Sequence, residues 1–275
     1  MTIAYTPKQP RRVLLLDSPR LDALRSLTMP YDAEMLGWDE LRSAAVRVYP
    51  SAVVMLDPFV GDGPEIDPRA LELIADCGAV PVVAMVPFRE PYFESVRALL
   101  RHGLADIADA DLENTPDAIR LRLKAVHAQP LKRRVDGALS RFTSANARTL
   151  LAATAEVAAD GGSALDLGAA FASSERTVAG WCEREALPTP RRLLAWLRVL
   201  LAVLLLEDAC RSVPAAAKGA GYASDYTLRR ALRDLLGDGA GTRAHSFAQA
   251  MDTFNAELRE LREAARRRAR GSRAA

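Results

Sequence analysis

The chain has 275 residues, 49% of them hydrophobic and 26% charged, which is enough apolar matter for two cores of ordinary size and excludes a disordered composition. Its 37 basic and 35 acidic residues leave a net charge of +2, but the halves differ. Residues 1–127 hold 14 Lys and Arg against 19 Asp and Glu, and residues 128–275 hold 23 against 16, so two modules with different partners are expected. Three scattered cysteines (Cys77, Cys182, Cys210) and three scattered histidines (His102, His127, His245) argue against a disulfide framework, a zinc site or a His-based nucleophile. The longest apolar run, Leu193 to Leu206, is interrupted by Arg198 and is shorter than the roughly 20 residues a bilayer requires. The N-terminus carries no signal-peptide stretch. A cytoplasmic protein without a membrane partner, a metal or a cofactor is expected.

The front half alternates short apolar runs with helical spacing. Residues 13–17 (VLLLD) read as a strand buried on both faces, followed by helical spacing from Pro19 to Leu27. Tyr31 to Leu36 reads as a weaker edge strand, and Trp38 to Val48 as a helix. Residues 51–57 (SAVVMLD) form a second buried strand. A helix over Pro68 to Asp76 follows, with Gly78 where a C-cap belongs. Residues 80–88 make a third strand, Pro91 to His102 a helix, residues 104–109 a short strand, and Pro116 to Val126 a helix with Pro in its first turn. Five strand–helix units predict a doubly wound α/β domain over 1–127, whose functional edge lies at the C-terminal ends of the strands. Asp17 and Asp57 both fall there.

This arrangement resembles the receiver domain of two-component response regulators, a flavodoxin-like fold with strand order 2-1-3-4-5. The resemblance matches Asp57 to the phosphoacceptor and Asp17 to one of the family's acidic pair, which also makes these two the weak metal candidates. The second acid of that pair is Ser18 here, the hydroxyl residue ending the fourth strand is Val86, and the lysine after the fifth strand falls near Asp109-Ala110. Asp-phosphate chemistry needs a divalent cation and a cationic clamp. A pseudo-receiver is therefore expected, serving dimerisation or contact with a protein partner. A response regulator phosphorylated on Asp57 is the alternative.

Residues 128–145 read as a connector helix with an apolar stripe of Leu131, Val135, Leu139 and Phe142, packed on one domain or forming a short seam between two copies of the chain. Ser144 then caps a helix to about Ala159, stopped by Gly161-Gly162. Two similar segments follow. Ala164 to Ala172 turns at Ser173-Ser174 into Glu175 to Arg184, and Val213 to Ala220 turns at Gly221-Tyr222-Ala223 into Ser224 to Leu236. Each is a short helix, a tight turn of small residues and a second amphipathic helix, the helix-turn-helix plan. A long apolar helix from Arg191 to Ala209, started by Pro190, joins them.

SERTVAGWCEREALPTPRRLLAWLRVLLAVLLLED (174–208) and AAAKGAGYASDYTLRRALRDLLG (215–237) resemble the DNA-binding domain of AraC/XylS-type transcription factors. The second run fits the family's pattern at Ala217, Gly221, Tyr222, Ser224, Leu228, Arg230, Leu232 and Gly237. The resemblance implies a double helix-turn-helix domain over 146–242, with double-stranded DNA as partner. In it the second helix of each pair enters the major groove and touches base edges from its N-terminal exposed residues. Carried over, the first such helix offers Arg176 and Thr177, and the second offers Asp225, Tyr226, Arg229 and Arg230. Arg229 or Arg230 can bond guanine bidentately; Asp225 can accept from cytosine or cap its helix with Ser224. Arg176, Arg191 and Arg192 suit phosphate contacts that set register. Ala179 and Gly180, one turn on, cannot read bases, and a mid-helix Gly180 suits close approach to DNA or to a neighbouring helix. Val178, Trp181, Cys182, Leu228 and Leu232 are expected in the core.

Residues 243–275 add a helix with a stripe of Phe247, Met251, Phe254, Leu258 and Leu261, then an arginine run past Glu263 that is expected to be disordered without a polyanion. The expected function is a sequence-specific transcriptional regulator, a homodimer being one use of its front half. A protein-binding adaptor that has lost DNA reading is a further alternative. No nucleophile–base pair, phosphate loop or metal-ligand cluster points to an enzyme.

Overall fold

A computed structural model describes residues 11–27, 31–45, 52–77, 80–126, 128–139, 143–207, 212–237 and 245–274. They divide into two compact units, Pro7–Pro130 with Asp208–Ala215, and Leu131–Glu207 with Ala216–Ala275. The first is built on a five-stranded parallel sheet; the second is helical. No helix among the described residues is long and apolar enough to cross a membrane.

The sheet runs in the order β2-β1-β3-β4-β5, with β1 Arg11–Leu16, β2 Tyr31–Leu36, β3 Val53–Leu56, β4 Val82–Val86 and β5 Asp106–Asp109. Every pairing is parallel: Val13 stands beside Val53, Val54 beside Val82, and Val83 beside Asp106. All residues of β3 and β4 are buried, because helices cover both faces of a parallel sheet and such strands need unbroken apolar runs. The edges behave differently. β2 exposes Asp32, and its Glu34 binds Arg12 of β1 at 2.6 Å, while β5 brings Asp106 and Asp109 to its two ends. A 3-10 helix, Pro19–Ser26, follows β1, and α1 Trp38–Ser43, α2 Pro68–Asp76, α3 Phe93–Arg101 and α4 Pro116–Val126 complete the unit. Asp67 caps α2 and pairs with Arg69, whose guanidinium holds the Asp67 carboxyl below its ordinary range. The turn expected at Gly78 and the later part of the Trp38–Val48 helix lie outside the described residues.

The helical unit begins within α5 Gln129–Ala138, at Leu131, and continues with α6 Ala145–Ala159. Leu131, Val135 and Leu139 of the connector stripe are buried within this one chain, as packing on a domain requires; Phe142 lies outside the described residues. Ser144 accepts from the Ala147 amide at 3.0 Å and caps α6, and Gly161 ends the chain's run there with φ +68°. The first pair is α7 Ala164–Ala170 and α8 Glu175–Arg184, the second α10 Val213–Gly219 and α11 Asp225–Leu236. Each first helix ends two residues before a residue with positive φ, Ala172 at +49° and Gly221 at +76°. Each second helix is capped by a serine, Ser174 on the Thr177 amide and Ser224 on the Thr227 amide. The two pairs are thus the same local solution written twice.

Between them lies α9 Pro190–Leu206, packed against α6, α7, α8, α11 and the last helix, α12 Phe247–Ala274. That surrounding explains why α9 is apolar on almost every face and still not a membrane span. Its lone interior cation, Arg198, donates from Nη2 to the Gly162 carbonyl at 2.5 Å. The Arg198 Nε and the nearby-charged Tyr222 hydroxyl are buried without hydrogen-bond partners among the described residues, and burial pushes the Tyr222 phenol up to about 12. The arginine run past Glu263 was expected to be disordered; it instead continues α12 as helix to Ala274.

Candidate functional site

Two places gather the residues singled out from the sequence: the ends of β1 and β3, and the outer faces of α8 and α11.

Asp57 is buried just past the end of β3 and is already occupied. Arg20, in the first turn of the 3-10 helix, donates from Nη1 to both Asp57 oxygens at 2.8 and 3.0 Å. Ser18 donates its hydroxyl to Asp57 at 2.9 Å, and the Phe59 amide donates to the carboxylate at 3.3 Å. Ser18 stands where a second acid was expected by the resemblance, and here it is a hydrogen-bond donor to the carboxylate. Asp17 does not join this cluster; it pairs with Arg25 at 2.9 Å on the exposed side. No group of three or more His, Cys, Asp or Glu able to hold a metal forms among the described residues. Sequence reasoning missed Arg20, which needs the fold of the β1 exit loop to reach a residue 37 positions away.

Removing Arg20 leaves a buried carboxylate with neutral donors alone. Arg20→Ala is expected to cost about 1–3 kcal/mol, and Arg20→Ala/Asp57→Asn less than the sum of its two singles. Urea unfolding of the four proteins checks this. A loss within 0.5 kcal/mol for Arg20→Ala would mean that the pair is not a structural one.

On α8, Val178 and Cys182 face the core as expected, and burial pushes the Cys182 thiol up to about 11, an inert sulfur at neutral pH. Trp181 differs from the expected core position: it is half-buried, edge-on to Phe171 at 5.4 Å between ring centres. The outer face carries Arg176, Gly180, Glu183 and Arg184, all exposed. Arg176 has no ion pair among the described residues, whereas the Thr177 hydroxyl is drawn into the cap, 2.8 Å from the Ser174 hydroxyl. A Cβ built on Gly180 would meet nothing within 4 Å. Packing among the described residues therefore gives no reason for a glycine.

Gly180→Ala is expected to raise the stability of the helical unit by about 0.5–1 kcal/mol, the helix propensity difference without a clash. Thermal unfolding reads it, and an unchanged or lowered midpoint would contradict the open surface.

On α11, Leu228 and Leu232 are buried. The opposite stripe carries Tyr226 (66% exposed), Arg229, Arg230 and Arg233 at spacings of three, one and three, so four side chains share one exposed face. Arg229 lies 3.3 Å from Asp225, and Arg230 lies 3.8 Å from Asp234, both four residues apart on the helix. Asp225 is thus the partner of Arg229 in the first turn, while Ser224 does the capping. Arg233 was missed from the sequence although the same spacing rule places it on this face.

The two arginines at the start of α9 separate. Arg191 is exposed and 3.1 Å from Glu175 at the start of α8. Arg192 is clamped bidentately by Glu257 of α12 at 2.6 and 2.7 Å, and the Trp196 indole N–H donates to the same carboxylate at 2.8 Å. That carboxylate anchors α12 on α9, beside the Trp196–Phe254 ring contact.

No protein-family model, no curated protein and no solved structure matches this chain.

Proposed function

We propose that this chain is a sequence-specific DNA-binding transcriptional regulator of the cytoplasm, its helical unit an AraC/XylS-like double helix-turn-helix. The observation that carries the reading is the repetition: two serine-capped second helices, each following a positive-φ turn, both packed on α9, and both with a polar outer face bearing arginine. A capped helix N-terminus with exposed side chains is the part of such a unit that reaches base edges in the major groove. Tyr226, Arg229, Arg230 and Arg233 serve the reading helix, and Arg176 and Arg191 serve the phosphates. Arg192 serves the fold through Glu257.

The α/β unit acts in this reading as a receiver-like module that makes dimer or partner contacts without phosphotransfer. The strand order β2-β1-β3-β4-β5 and the engagement of both Asp57 oxygens by Arg20 support it. Selection of bound DNA from a random pool tests the regulator. A defined motif is the expected result. Weak binding without an enriched motif, vanishing by moderate salt, would overturn it and favour a protein-binding adaptor.

A further inference from the structure

Beyond Leu258, α12 is no longer held by fully buried side chains. Phe247, Ala250, Met251, Phe254 and Leu258 are its buried residues, and after them none is buried among those described. Yet the helix continues to Ala274. From Ala264 onward the sequence holds five arginines and no acid, and Arg266, Arg267, Arg268 and Arg270 are all exposed. Like charges at these spacings repel one another. The favourable interaction of cations with a helix C-terminus fades within the last turn and does not reach Arg266 and Arg267. A concentrated positive surface of this kind, in which only Arg268 has an ion pair among the described residues, is complementary to a polyanion.

Its placement says which polyanion. Glu257 fixes the middle of α12 on Arg192 and Trp196, and further along Arg262 donates to the Thr143 hydroxyl at 3.0 Å. The helix so held brings the Arg268 guanidinium to 4.0 Å from Glu183. Glu183 stands on the outer face of α8, in line with Arg176 and Gly180, one to two turns along. We infer that the arginine end of α12 is a DNA-backbone clamp that extends the face of α8, contacting phosphates beside the groove that α8 faces. The inference rests on the DNA-binding reading above and deepens it: α12 supplies affinity without sequence information.

The test is a full-length variant with Arg266→Gln, Arg267→Gln, Arg268→Gln and Arg270→Gln, substitutions that keep good helix formers in place. DNA affinity is measured across salt concentrations, with circular dichroism to confirm the helix. Each phosphate contact contributes about 0.9 to the slope of log affinity against log salt, so loss of two or three contacts should make the slope shallower by roughly 2–3 with the selected motif unchanged. The matching Arg→Lys variant should keep the wild-type slope. An unchanged slope in the glutamine variant overturns the clamp, whether or not a motif is selected. So does a variant that loses binding only to vesicles rich in anionic lipid, which would assign the arginines to a membrane surface. A steep slope that the variant reduces, in a protein selecting no motif, supports the clamp while overturning the sequence-specific reading.

Discussion

Gly221→Ala is expected to lower the stability of the helical unit by about 2–4 kcal/mol, combining a left-handed backbone conformation, about 1–2 kcal/mol for a residue with a Cβ, with steric conflict of a similar size. Gly221 sits at φ +76°, and a Cβ there would lie 2.9 Å from the Gly161 Cα, backbone against backbone. Neither side can yield by rotating a side chain. The turn between α10 and α11 and the loop after α6, whose Gly162 carbonyl accepts from Arg198, would have to separate. Gly161→Ala is the control. Its φ is also positive, at +68°, but its Cβ would stand 3.7 Å from Gly221, an ordinary contact, so it should show the conformational cost of about 1 kcal/mol alone. Fluorescence of Trp181 and Trp196 follows unfolding of this unit, Trp38 being in the other. Equal losses in the two variants would show that the turns can move apart freely. Because that contact sets where α11 starts relative to α6, Gly221→Ala should also weaken DNA binding at temperatures where the protein remains folded.

The parts of this structure that a reader of the sequence can see are those governed by neighbours along the chain. The buried strands β3 and β4 are legible because a parallel sheet covered on both faces demands runs such as VVML and VVAMV. The serine caps of α6 and α11 are legible because an N-cap hydroxyl serves an amide three residues on. What was hidden depends on closure in three dimensions. Arg20 reaches Asp57 only after β1 and β3 pair, and Glu257 meets Arg192 and Trp196 only once α12 lies on α9. Gly221 could be read as a turn residue, but its approach to Gly161 could not, since nothing in either glycine's surroundings names the other. The arginine tail failed for a different reason. Composition argued for charge repulsion, whereas the helix already nucleated by Phe247 to Leu258 needs only propagation, one hydrogen bond per residue fixed, to continue through it.

Arg229→Ala/Arg230→Ala is expected to relax or erase the preferred DNA motif, while leaving a residual affinity that still falls with salt. A bidentate arginine–guanine contact is worth about 1–3 kcal/mol of discrimination, so loss of one such contact corresponds to roughly 5- to 150-fold in the ratio of specific to non-specific binding, and loss of two to the product of their factors. The helix is arranged for this. Asp225 and Asp234 hold the two guanidinium groups by exposed pairs that cost little to exchange for a base edge, and Tyr226 and Arg233 continue the same face. Since both substitutions lie on the exposed face and Leu228 and Leu232 keep the core contacts, the double variant should unfold within about 0.5 kcal/mol of the parent. Arg176→Ala provides the contrast. A phosphate contact carries no sequence information, so its loss should weaken binding to all sequences alike and reduce the salt slope by about 0.9. If instead Arg176→Ala changed the selected motif and the α11 double variant did not, α8 would be the reading helix despite Ala179 and Gly180, and α11 would serve the backbone. If neither altered motif nor slope, the arginine faces of both helices would lie away from DNA, and the pairing of Arg229 with Asp225 and of Arg230 with Asp234 would be all that the α11 arginines do.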